Sequence, residues 1–195
     1  MNRRTRTALL GSALLLTVAA AAGSAGASAS DESKREAVPA GVSAPGESKR
    51  EAAALTGKAK LYRSAGDDIT FSFDAHLAAK DKADPMKATG TFEFSHYLNG
   101  EGARAKAEVD CLLTGGKVAV VSGVITDSDL PGAEGKRVGI TVHDAGRHDR
   151  LGYSWASTGS PVETKELPEC VGSAPFEKVR KGTGDFTVVP WQPEL

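Results

Sequence analysis

The chain has 195 residues, 24 of them Lys or Arg and 25 Asp or Glu, for a formal net charge of −1. So even a balance argues against a nucleic-acid binder, which needs a basic excess to displace counterions from phosphate. The apolar residues are numerous enough for one core of ordinary size, once the N-terminal segments are set aside.

Arg3, Arg4 and Arg6 precede an apolar run from Ala8 to Ala22, and small residues follow. Ala25-Gly26-Ala27 and Ala27-Ser28-Ala29 both fit an A-x-A cleavage site. Basic n-region, short h-region and small-residue exit together predict a secretory signal peptide over 1–29. The run falls short of the ~20 strongly apolar residues of a membrane span. No second apolar segment follows, so the predicted mature chain has no membrane span. Arg3-Arg4 leaves twin-arginine export open beside the general route. Loss of three arginines lowers the net charge by three, to −4, which suits a soluble secreted domain.

Residues 30–54 are rich in Ala, Ser, Glu, Lys, Pro and Gly and hold no aromatic side chain. Too little surface can be buried there to offset chain entropy, which predicts a flexible spacer. Glu32-Ser-Lys-Arg-Glu-Ala37 recurs as Glu47-Ser-Lys-Arg-Glu-Ala52, two polar copies that cannot build a repeat core. Glu51 to Ala54 could form a transient helical turn.

Residues 55–195 read as one antiparallel β domain, a sandwich or small barrel of about eight strands and a monomer. Leu55–Arg63 supplies the first strand. Ile69, Phe71, Phe73, Ala75 and Leu77 alternate with polar residues, the period of two of a half-buried strand. Thr89 to Tyr97 follows, with Phe92 and Phe94 on one face. Gly115-Gly116 reads as a two-residue hairpin loop, pairing Leu113 with Val118, Cys111 with Val120 and Ala107 with Val124 on the core face. A second hairpin turns at Ala145–His148 and sets Asp144 opposite Asp149. It pairs Val142 with Leu151, Ile140 with Tyr153 and Val138 with Trp155. Asp185–Val189 is the last strand.

Cys111 and Cys170 are the only cysteines, and an even count in an exported protein suggests a disulfide. Two unpaired thiols are the alternative. No CxxC or HxxxH spacing supports zinc.

Three constellations are candidates for function. Asp144 and Asp149, facing each other across a hairpin, repel and are either cation ligands, with Ca²⁺ the fitting ion, or turn-structural. In the second case Asp144 caps the turn through its own backbone and Asp149 pairs with an arginine. The predicted cofactor is none. His143, Asp144 and His148 are the residues of a secreted hydrolase, if the chain is one. Gly152-Tyr-Ser154-Trp-Ala156 lacks the strand–turn–helix context of a nucleophile elbow, so Ser154 reads as structural and no catalytic residue is assigned. Tyr97 and Trp191 are candidate ligand-binding aromatics, whereas Tyr153 and Trp155 fall on the apolar face. The favoured reading is an extracellular or cell-wall-associated binding protein for a polysaccharide or protein ligand. A protease inhibitor displaying the connection around Cys170 is a further alternative.

The phrases Val109-Asp-Cys-Leu-Leu113, Gly123-Val-Ile-Thr126, Lys136 to Asp144 and Asp149 to Trp155 carry a family resemblance. With Cys170 and Ala174-Pro-Phe176, the chain from Leu55 to Trp191 resembles small secreted proteins of high-GC Gram-positive bacteria often labelled repetin. The resemblance implies export and a compact β domain. It transfers no activity, substrate or catalytic residue, and no EF-hand loop is present to link it to animal proteins of that name.

Overall fold

The structure is a computed structural model and describes residues 51–192. The predicted signal peptide, and the predicted spacer up to residue 50, lie outside the described residues. Nine strands run in chain order: β1 Glu51–Lys60, β2 Asp68–Ala78, β3 Thr89–Leu98, β4 Glu101–Gly115, β5 Val118–Ser128, β6 Arg137–His143, β7 Arg150–Tyr153, β8 Glu177–Lys178 and β9 Asp185–Val189. All pair antiparallel in one sheet of order β8-β7-β6-β5-β4-β3-β2-β1-β9, curled into a half-barrel. One curled sheet settles the choice between sandwich and barrel. None of the described helices is long and apolar enough to cross a membrane.

Alternation dictates the inner face. Ile69, Phe71, Phe73, Ala75 and Leu77 of β2 are buried, as are Val138, Ile140 and Val142 of β6 and Phe186 and Val188 of β9. The core mixes large rings with small residues: Phe71, Phe73 and Phe92 share it with Ala75, Ala105, Ala107 and Ala119, the large–small mixture that fits a small barrel. Glu51–Ala54 is strand, not a helical turn. Alanine has little β propensity of its own, and this stretch is held by pairing with β2 on one side and, at Ala54, with Val189 of β9 on the other.

The β6–β7 hairpin has the predicted register over its ladder: Ile140 pairs with Tyr153, Thr141 with Gly152, Val142 with Leu151 and His143 with Arg150. But β7 ends at Tyr153, and the predicted Val138–Trp155 pair does not form. The β4–β5 hairpin departs from its predicted register. Its loop is Gly116-Lys117, so Gly115 pairs with Val118, Leu113 with Val120, Cys111 with Ser122 and Ala107 with Ile125. Gly116 sits at φ 55° in the first loop position, where only a residue tolerant of positive φ serves. The shift turns Ala119, Val121 and Ile125 inward and leaves Leu113 43 % and Val118 37 % exposed on the outside. The cause is a bulge at Asp110, between Val109 and Cys111, which reverses the inward-facing parity along β4. Cys111 therefore faces outward, contrary to the predicted core face.

It is nonetheless fully buried, because the long connection after β7 is strapped over the outside of the sheet. Cys111 and Cys170 form a disulfide across 59 residues of sequence. From Cys170 to Ala174 the strap lies directly on β6 and β7. A Cβ on Gly139 would stand 1.8 Å from the Val171 carbonyl oxygen, and one on Gly152 would stand 1.9 Å from that of Ala174. Only glycine allows such an approach. Beneath the strap, Ser122 Oγ donates to Asp110 Oδ1 (2.6 Å) and accepts the Cys170 N–H (2.9 Å). Arg137 closes the network on Asp110 Oδ2 (2.7 Å) and Glu169 Oε1 (3.2 Å). Both sides of β6 are thus covered, which explains its run of five buried residues.

Candidate functional site

The two edges of the sheet order belong to one stretch of chain. β8 pairs with β7, Val179 then bridges to Leu61 just beyond β1, and β9 pairs with β1. Residues 177–189 therefore form a seam. Asp144 and Asp149 work at that seam. Asp149 Oδ2 accepts the Phe186 N–H (3.0 Å) and its Oδ1 the Ala145 N–H (2.8 Å). Asp144 Oδ2 accepts the Val188 N–H (3.2 Å) and Lys117 Nζ (2.9 Å), and its Oδ1 accepts the Gly146 N–H (3.4 Å). The hairpin carboxylates thereby satisfy the N–H groups of β9 that point away from β1. Asp144 makes the predicted contact with its own turn, whereas Asp149 pairs with no arginine; its partners are backbone N–H groups. Among the described residues, no three His, Cys, Asp or Glu side chains converge as a metal site.

The two aspartates titrate in opposite directions. Burial, joined by the adjacent Asp185 carboxylate, pushes Asp149 above the ordinary carboxylate range despite its backbone donors. Burial also acts on Asp144, but Lys117 and the Val188 and Gly146 N–H groups outweigh it and hold Asp144 below that range. A raised carboxyl binds its proton more tightly when folded, so its contribution to stability is complete below about pH 3.8 and is lost as pH rises through its folded value. A lowered one contributes above that pH and is lost on acidification. Asp149→Asn should therefore flatten the decline in stability on the rising side of that window, and Asp144→Asn the acid limb. Urea midpoints between pH 3 and 7 check both, and identical profiles for the two variants would refute the assignment.

The hydrolase candidates are not assembled. His143 is half-buried and His148 exposed in the turn. Neither makes a hydrogen bond or ion pair with a carboxylate or hydroxyl among the described residues, and Asp144 is engaged as above. Ser154 Oγ accepts the Gly139 N–H (3.2 Å), a structural task. Tyr97 and Trp191 stand at opposite ends of β4. Tyr97 pairs with Gly102. Trp191 is anchored at the other end by Thr114 and the Lys82 carbonyl, with the Lys82 ammonium over its ring at 5.6 Å. They form no joint surface.

What the fold does build is a cleft at the end of the barrel where β3 and β4 meet. Its volume is about 430 Å³, and Phe94, Ala103, Ala105, Leu130, Pro131, Trp155 and Pro161 make its apolar lining. The Phe94 and Trp155 rings are 4.4 Å apart, and Tyr153 stands 4.9 Å from Trp155. A smaller cavity of about 90 Å³ shares Phe94, His96, Trp155 and Gly159 with it and reaches Ile69, Phe71 and Tyr153.

The rim is polar and fixed. His96 Nε2 meets Asp67 Oδ2 at 2.9 Å. Arg104 pairs with Asp127 through its guanidinium, its N–H donates to Asp129 Oδ1, and its carbonyl accepts Ser128 Oγ. Ser160, beside them on the rim, caps the turn at Pro161 through the Val162 N–H. Burial raises the Tyr153 phenol above its ordinary value, keeping it neutral, and its oxygen accepts from Arg63 (2.9 Å).

Sequence reasoning placed Trp155 and Tyr153 in the core and missed the cleft that Trp155 borders and the smaller cavity that both line. Trp155 is both: 7 % exposed, yet part of the cleft wall. In sequence the acidic loop Asp127-Ser128-Asp129 carries the same choice as Asp144 and Asp149, cation ligand or solvated turn, with the turn favoured; in the structure both aspartates hold Arg104. The chain matches no family model, no curated protein and no solved structure.

Proposed function

We propose that this chain is a secreted, non-catalytic binding protein. Its ligand enters the β3–β4 end of the barrel and lays an apolar ring face against Phe94 and Trp155. Polar substituents then reach His96, Asp129 and Ser160. The observation that carries this reading is the cleft itself. At about 430 Å³ it falls within the roughly 300–1,000 Å³ of small-ligand sites, and it combines an apolar floor with a few fixed polar groups in the mouth of a barrel, where such sites recur. The basic–apolar–small leader and the disulfide support an extracellular setting, in which glycosyl or aryl groups of the cell wall are fitting ligands. Binding is favoured over hydrolysis because His143, Asp144 and His148 lack a shared geometry. It is favoured over inhibition because the segment around Cys170 lies flat on β6 and β7.

Only two tryptophans occur in the chain, so Trp191→Phe leaves Trp155 as a single reporter in the cleft. Titration of that variant with aryl glycosides and soluble cell-wall saccharides should give a saturable change in emission for at least one class. Folded protein whose emission no member of either class perturbs would refute the proposal.

A further inference from the structure

Six arginines lie among the described residues. Three have carboxylate partners: Arg63 with Glu177, Arg104 with Asp127, and Arg137 with Asp110 and Glu169. The other three, Arg147, Arg150 and Arg180, are exposed, gather at the seam and make no ion pair among the described residues. Lys178 and Lys181 join them, also exposed and also without an ion pair there. Arg147, Arg180 and Lys181 line one cleft, and Arg150 faces Lys178 on the adjoining β7–β8 ladder, on a chain whose net charge is −1. Most of the acidic groups nearby are engaged: Asp149 accepts the Phe186 and Ala145 N–H groups, Glu177 holds Arg63, and Asp68 is held by Lys60 at 2.6 Å.

Two features make this more than a solvated face. Arg150 is directly opposite Lys178 in the β7–β8 ladder. Directly paired side chains project from the same face, and like charges in that relation are destabilising. The fold retains this repulsion although a single substitution would relieve it. Next to Lys178 in sequence begins a cleft of about 480 Å³ lined by Arg147, Arg180 and Lys181, with Val179, Asp185 and three glycines completing it. It opens on the seam, and its lining shares no residue with the aromatic cleft.

We propose that the seam cleft is a binding site for a polyvalent phosphate ligand. The guanidinium fork matches phosphate oxygens bidentately. Five cations on two stretches of chain that meet at β7–β8 and at the cleft suit a ligand with several phosphates in series better than one carrying a single charge. The inference concerns a different face from the proposed aromatic site and stands or falls independently of it.

Calorimetric titration of the purified protein at low salt, with inorganic phosphate, tripolyphosphate and long-chain polyphosphate, tests it. Saturable binding of the two condensed phosphates is expected, at least 10-fold tighter than inorganic phosphate and weakening as salt is raised. Arg147→Gln/Arg180→Gln/Lys181→Gln should reduce that affinity at least 10-fold. Lys136→Gln/Lys165→Gln, which removes two exposed charges around another depression, should leave it unchanged. Arg150→Gln should raise the melting temperature of the free protein, since it removes the opposed pair. No saturable binding, equal affinity for inorganic phosphate, or equal losses in the two multiple variants would each overturn the proposal.

Discussion

Cys111→Ala/Cys170→Ala is expected to cost roughly 4 kcal/mol of stability, the largest effect of any change outside the inner core. A bridge across 59 residues removes about that much loop-closure entropy from the unfolded chain. For a domain of this size the loss lowers the melting temperature by about 10 °C. The native side suffers as well, because the bridge presses the strap onto Gly139 and Gly152 and positions the Cys170 N–H on Ser122 Oγ. Calorimetry of oxidised, dithiothreitol-reduced and double-alanine protein checks this, with the last two expected to coincide. A loss below about 1 kcal/mol would mean that the Arg137–Asp110–Ser122 network holds the strap without covalent help.

Asp149→Ala should be the most damaging polar substitution, at about 2–4 kcal/mol. Its side chain is 1 % exposed and accepts the N–H of Phe186, itself buried in the core. Truncation leaves that donor without a partner and water without access, the costly case for a hydrogen bond. Asp149→Asn keeps one acceptor oxygen and should lose less. Asp144→Ala removes a group on the rim of the same seam and should also lose less. Urea unfolding of the three variants gives the order. If Asp149→Ala proved the mildest, β9 would be held by its pairing with β1 alone.

Where alternation was one-sided, the sequence determined the structure closely. β2 and the β6–β7 hairpin place polar residues so regularly opposite apolar ones that a slipped register would bury Asp74 or expose Ile140. In β5 both faces are apolar, Val118, Val120 and Val124 on one and Ala119, Val121 and Ile125 on the other, so the pattern could not choose between them. The double glycine at 115–116 allowed either loop. The bulge at Asp110 decided the matter, and nothing local announces it. Asp144 was legible as a turn residue, but Asp149 was not legible as the acceptor of a strand 37 residues away. The aromatic cleft is made by β3, β4 and two loops that meet only through the curl of the sheet. The cationic seam is likewise invisible to a net charge. Its five residues are drawn from two stretches of chain, 147–150 and 178–181, and joined by the pairing of β8 with β7.

The central claim, a ligand-binding cleft on Phe94 and Trp155, is tested most directly by plugging it. Ala103 lines the cleft on β4 and is only half-buried, so Ala103→Phe should fill the space without entering the core. Trp155 emission is then compared between Trp191→Phe and Ala103→Phe/Trp191→Phe during titration with the aryl glycoside or saccharide that binds best. The expected result is an unchanged melting temperature and an affinity at least 10-fold weaker in the plugged protein. Equal affinity in the two proteins would place the ligand elsewhere and contradict the account.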